Sequence, residues 1–172
     1  MRKILMLAAL IAISPASAIA HDGDAHAAHA HSHGPMIVGG APGKATEATR
    51  EVTIIVTDSD FVPKTIAVKS GETVRFVVRN DGKLVHEFTI GTKAMQAEHQ
   101  SEMLGFAVSG AIEADKVDRS KLGTHDHGNN VLLEPGHSGV IVWTFASAAD
   151  LEFGYNIPGH YEGGMKGDFK FE

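Results

Sequence analysis

From residue 50 to the C-terminus the chain is written in short β-rich runs separated by turn residues, and that punctuation constrains the fold more than any other feature. Residues 51–57 (EVTIIVT) end at Asp58-Ser59-Asp60, and Phe61-Val62-Pro63 leads into the alternating run 64–68. Ser70-Gly71-Glu72 turns into 73–79 (TVRFVVR), and Asn80-Asp81-Gly82-Lys83 turns into 85–90 (VHEFTI). Residues 138–145 (SGVIVWTF) and shorter runs near 152–156 and 166–171 complete a set of about seven or eight strands. Period-two alternation buries one face of each strand, and short turns join neighbours, so the pattern predicts an all-β antiparallel sandwich or barrel. The regularly alternating crossover helices that an α/β sheet requires are missing. One segment breaks the pattern: residues 92–104 (TKAMQAEHQSEML) lack β-branched residues after Thr92 and carry a helical spacing, which predicts a helical insertion. Residues 118–130 read as loop.

The first fifty residues are of another kind. Arg2 and Lys3 precede an apolar run, 4–13, too short to span a bilayer, and Pro15 breaks it before small residues. Residues 1–20 therefore read as a cleaved export signal, with overlapping small-x-small sites at Ala16-Ser17-Ala18 and Ala18-Ile19-Ala20. Loss of Arg2 and Lys3 takes the formal charge from −6 to −8. No later stretch is long and apolar enough for membrane insertion, so the expected compartment is the periplasm. Residues 21–48 read as a leader and linker: His21, His26, His29, His31 and His33 are interleaved with Asp, Ala and Gly, a composition expected to stay disordered, and residues 34–48 are rich in Gly, Ala and Thr. The folded domain is expected at 49–172.

Composition narrows the chemistry. The chain has 11 histidines and no cysteine. Without a thiol there can be no disulfide framework, iron–sulfur cluster or cysteine nucleophile. The acidic balance disfavours a nucleic-acid partner, which would reward clustered Lys and Arg. Neutral imidazoles bind copper, nickel and zinc, and the leader histidines can capture such ions at loose stoichiometry.

The segment Phe153-Gly154-Tyr155-Asn156-Ile157-Pro158-Gly159-His160-Tyr161-Glu162-Gly163-Gly164-Met165 resembles the ligand loop of the cupredoxins, whose fold is a Greek-key β-sandwich. That family's pattern is a strand ending in Cys, a Pro-containing loop with His and then Met, and another His far upstream beside a sheet turn. The resemblance matches His160 and Met165 to the loop ligands and His86 to the upstream one, and it places Tyr155 where the thiolate ligand stands. The helical insertion and the His-rich leader are most similar to the exported copper-tolerance branch. The resemblance thus implies a copper site at His86, His160 and Met165, with Tyr155 a doubtful ligand because phenol ionises only near pH 10. Two neutral nitrogens and a thioether form a soft set suited to Cu(I), while Cu(II) would need a further oxygen donor. The blue colour of the family depends on the thiolate and is not expected here.

Secondary candidates remain. Met95, His99 and Met103, four apart, stack on one helix face and read equally as a Cu(I) site or as core with His99 at its edge, with Glu98 and Glu102 on an adjacent solvated stripe. His125 and His127 lie in a polar loop and carry a weak metal signal; His137 is assigned no role and Trp143 is expected in the core. The function that follows is capture, buffering or handover of copper in the periplasm, with a copper oxidase or efflux system as partner, and without enzymatic activity. The alternatives are cupredoxin-type electron transfer and a metal-free scaffold in which Tyr155 fills the site.

Overall fold

The computed structural model describes residues 38–123, 127–146 and 149–172. Among the described residues there are ten strands: β1 (Gly40–Pro42), β2 (Arg50–Val56), β3 (Phe61–Val62), β4 (Thr65–Val68), β5 (Thr73–Asn80), β6 (His86–Thr92), β7 (Asn130–Leu133), β8 (Ser138–Phe145), β9 (Leu151–Gly154) and β10 (Lys166–Phe171). They form two five-stranded sheets, ordered β1-β8-β5-β2-β3 and β4-β10-β9-β6-β7. The inward residues of both sheets make one core in which Phe61, Phe76, Phe88, Phe145, Phe153 and Phe169 pack edge to face at centroid separations of 5.0–6.2 Å. Trp143 is fully buried there, as the apolar run around it predicts.

The sandwich is as expected, with three differences. Two strand pairs, β2 with β5 and β4 with β10, are parallel. After β2 the chain makes the antiparallel β3 and then crosses to the second sheet as β4, so its return brings β5 beside β2 in the same direction. Secondly, β1 lies within the segment read as linker. Gly40, Ala41 and Pro42 have no β-forming side chains, yet their backbone pairs with Phe145, Thr144 and Trp143, and Gly40 leaves room for the Trp143 indole. Thirdly, β7 begins at the end of the segment read as loop and pairs with the first half of β6.

The helical insertion is α1 (Lys93–Val108), longer at its C-terminal end than the spacing suggested. Thr92 caps it, its Oγ1 accepting from Met95 N at 3.4 Å, and Gly110 at φ 67° turns the chain after its end. Met103 is fully buried under α1 in a second cluster with Val85, Ala111, Ile112, Leu122 and Leu132.

Candidate metal centre

Successive residues of a strand point to opposite faces, and β6 uses both. His86 and Phe88 face the sandwich interior, while Val85, Glu87 and Thr89 face α1 and the segments packed with it. The end of β9 and the chain just beyond it repeat this division. Phe153 and Tyr155 point inward, and Asn156 points out to Glu87 and to Gln96 of α1.

His86 is completely buried. Its Nε2 lies 3.0 Å from Asp58 Oδ1, which also accepts from the backbone N–H groups of Lys83 at 2.7 Å and Leu84 at 3.1 Å. Burial alone would push the Asp58 carboxyl up, but these donors outweigh it and hold the group below its usual range. An ionised carboxylate only accepts, so His86 Nε2 carries the proton. Burial holds the His86 pKa below its ordinary value, against the pull of Asp58, so the ring is neutral. Its other nitrogen, Nδ1, is then a bare lone pair, buried and without a hydrogen-bond partner. An unsatisfied buried acceptor costs about 1–3 kcal/mol. A hydrogen-bond donor or a metal ion reaching Nδ1 would satisfy it.

Tyr155 stands between the two histidines. Its ring is 5.1 Å from that of His86, edge on, and 4.4 Å from that of His160. The phenol donates to Val85 O at 2.6 Å, and burial, with the charges of Glu87 and Asp58 adding to it, pushes its pKa up. Its proton is therefore committed to the backbone, which makes the hydroxyl a poor ligand. His160 is half-buried, and burial followed by the proximity of His86 lowers its pKa, so it too is neutral. Met165 is buried in the sandwich core.

The loop between these residues is tightly tied. Met165 N donates to His160 O at 3.0 Å, Tyr155 N to Met165 O at 3.1 Å, and Gly163 N to Gly159 O at 3.1 Å. Gly154 leaves the space that the Tyr161 ring occupies; Tyr161 hydrogen-bonds Glu152 and lies under Lys166 Nζ, 4.4 Å from its centroid. The fold thus gathers His86, His160 and Met165 around Tyr155 from one strand, β6, and the loop between β9 and β10.

The secondary candidates are distributed differently. His99 Nε2 meets the fully buried Glu87 at 2.7 Å, and its Nδ1 meets Glu102 at 2.9 Å. Burial by itself would push His99 down, but the hydrogen bonds and charges of Glu87 and Glu102 outweigh it and raise the pKa. Both nitrogens of His99 are therefore engaged by carboxylates, Met103 is core, and Met95 lines a cleft of about 370 Å³ with His99, Glu98 and His127. Of the two readings of this helix face, Met103 packs as core, while Met95 and His99 border one cleft. Glu102, expected on a solvated stripe, instead lies 2.9 Å from His99 Nδ1, and His127 Nε2 is 3.8 Å from the same carboxylate. His125 and the leader residues His21, His26, His29, His31 and His33 lie outside the described residues. His137 is exposed, with its Nδ1 3.1 Å from Pro135 O. Among the described residues no group of three or more His, Asp or Glu is arranged to hold a metal. The set expected from the sequence at His86, two imidazoles and a thioether, is of another kind.

Sequence reasoning missed Asp58, which reads as a turn residue, and Glu87 and Asn156, whose pairing joins β6 to the loop at 3.2 Å. None carries a local signal, because each partner is distant in the chain.

The architecture, two mixed five-stranded sheets with a buried histidine beside a His–Met loop, is that of a cupredoxin. A family model described as a cupredoxin-like domain matches residues 3–128, a span that includes His86. The chain is 46% identical over 143 residues to the copper-resistant cuproprotein CopI of Pseudomonas aeruginosa, covering 74% of this chain and 79% of that protein. It is 40% identical over 166 residues to CopI of Rubrivivax gelatinosus, covering 95% and 92%. Among solved structures, dithionite-reduced auracyanin from Roseiflexus castenholzii shares the fold with a TM-score of 0.55 at 23% identity, over 73% of this chain and 98% of that one. Auracyanin B does so with 0.57 at 17%, over 78% and 96%. The chain belongs to the cupredoxin-like family, in its copper-resistance branch.

Proposed function

We propose that this protein binds copper in the service of copper tolerance, capturing and buffering the ion and handing it on, with His86, His160 and Met165 as the ligands of the domain. The observation that carries the reading is the buried, unpartnered Nδ1 of His86, held as a lone pair because Nε2 is donated to Asp58. Relatives 46% and 40% identical to this chain over 143 and 166 residues bear the name copper-resistant cuproprotein. Two neutral nitrogens and one thioether form a soft, uncharged set, which favours Cu(I). Tyr155 walls the site and contributes no thiolate, so the intense charge-transfer colour and the strong electronic coupling of the blue-copper proteins are lost. That argues for a carrier over an electron-transfer protein, and the copper is cargo, with no catalytic step assigned to it.

The leader supports the same task. Residues 1–20 have the form of an export signal, which puts the protein in the periplasm, and the five leader histidines supply a capture tract ahead of the domain. No helix among the described residues is long and apolar enough to cross a membrane. Half-exposed His160 gives an acceptor, such as a periplasmic oxidase or efflux protein, a side from which to take the ion.

The test is an anaerobic Cu(I) competition with a chromogenic chelator, on the full chain and on His86→Ala and Met165→Leu variants. One equivalent held against the chelator by the wild type and lost in both variants is expected. Equal retention by all three would remove the domain site.

A further inference from the structure

We propose that Asp58 is a positioning residue of the metal centre: its carboxylate fixes His86 in the tautomer whose Nδ1 faces the metal, and lends the uncharged donor set a negative charge. The proposal rests on the reading of His86 as a ligand. Asp58 lies in the turn after β2, and His86 opens β6, so the pair is joined only by the fold.

The contact is built. Asp58 Oδ1 collects three donors, Lys83 N, Leu84 N and His86 Nε2, at 2.7, 3.1 and 3.0 Å. The two backbone donors belong to the turn that delivers His86, so the carboxylate is pinned to the same segment as the ring it orients. Gly82 completes the cradle. A Cβ there would stand 2.7 Å from His86 Nε2 and closer still to Asp58 Oδ1, so any side chain at 82 would push the pair apart. The glycine of the Asn80-Asp81-Gly82 turn is thus needed for this contact, beyond its value as a turn residue. Asp58 itself is 41% exposed at its side chain, whereas His86 is at 0%, so the carboxylate stays hydrated while it orients a buried ring.

The chemistry follows from general behaviour of ligating imidazoles. A histidine that donates its second N–H to a carboxylate is fixed in orientation and becomes a stronger donor, and loss of the partner typically costs 10–100-fold in metal affinity. Here the effect has a second side. His86, His160 and Met165 bring no negative charge, and Asp58 supplies one at a hydrogen bond's distance from the ring. A dication gains more from that charge than a monocation does. Asp58 therefore narrows the preference for Cu(I) that the soft donors create, and lets the centre keep hold of copper when it is oxidised.

The experiment uses the full chain and the variants Asp58→Asn, which keeps an acceptor oxygen without the charge, and Asp58→Ala, which removes both. In metal-free protein, long-range ¹H–¹⁵N spectra should show His86 protonated on Nε2 in the wild type and in Asp58→Asn, with that tautomer lost in Asp58→Ala. Cu(I) and Cu(II) competition titrations should then show the ratio of the Cu(II) to the Cu(I) dissociation constant rising about tenfold in Asp58→Asn, equivalent to about 59 mV for one electron. His86 protonated on Nδ1 in the wild type, or an unchanged ratio in Asp58→Asn, would overturn the proposal. Should Asp58→Ala not fold, Asp58→Asn decides it. If the His86 signals of the wild type do not respond to Cu(I), the copper reading fails while the tautomer measurement still judges the orienting role of Asp58.

Discussion

The hydroxyl of Tyr155 donates to the carbonyl of Val85 at 2.6 Å, across 70 residues of chain, and this bond fixes a phenol where a cupredoxin carries its thiolate. It makes Tyr155 part of the wall of the site. Tyr155→Phe should therefore leave Cu(I) affinity within a factor of about two while costing about 1 kcal/mol of stability in chemical denaturation, the net value of one hydrogen bond. A large loss of copper affinity in Tyr155→Phe would make the phenol a ligand.

Restoring the thiol tests the geometry. Tyr155→Cys should develop an intense visible band on addition of Cu(II), because a thiolate at that position would face His86 and His160, whose rings now flank the phenol at 5.1 and 4.4 Å. The wild type should show none. A colourless Tyr155→Cys protein would mean that the two imidazoles do not converge on one ion.

His99 makes stability depend on pH. Its folded pKa is raised by Glu87 and Glu102, so its contribution is fully present below the unfolded value, about 6.5, and is lost as the pH rises through the higher folded value. His99→Gln strips the buried Glu87 of its charged partner and should cost about 3 kcal/mol at pH 6, with a smaller difference from wild type at pH 9. Urea denaturation at the two pH values measures it, and a penalty independent of pH would show that the pair is not ionic.

Met103 separates core from ligand. It is fully buried in the second cluster, so Met103→Ala should destabilise the fold by about 2–4 kcal/mol with copper stoichiometry unchanged. Loss of an equivalent of copper at full folding would return Met103 to the ligand set.

Replacing His21, His26, His29, His31 and His33 with Ala should lower total copper stoichiometry and leave the denaturation midpoint of the domain where it was. An unchanged stoichiometry would remove the capture role of the leader.

Local pattern reached far into this fold. The runs at 138–145 and 166–171 coincide with β8 and β10, because period-two alternation and the flanking turn residues are properties of the chain itself. The proposed ligands His86, His160 and Met165 were picked out by their resemblance to a known loop. The edge strand β1 was not, since Gly-Ala-Pro joins the sheet through backbone groups alone. Nor was the separation of Met103, which is core, from Met95 and His99, which border a cleft. Helical spacing puts side chains on one face, but what packs against that face is decided by β6 and by the segment after the helix.

By itself the sequence determined the class of fold, the absence of a thiolate and the residue standing in its place. Only the tertiary structure decided what Tyr155 does with its proton, which nitrogen of His86 is left bare, and that Asp58 and Gly82 make the cradle that leaves it so. The reason is range. Hydrophobic periodicity and turn chemistry act between near neighbours, whereas a tautomer and a hydrogen-bond partner are set by groups 28 or 70 residues away that meet only once the strands have assembled.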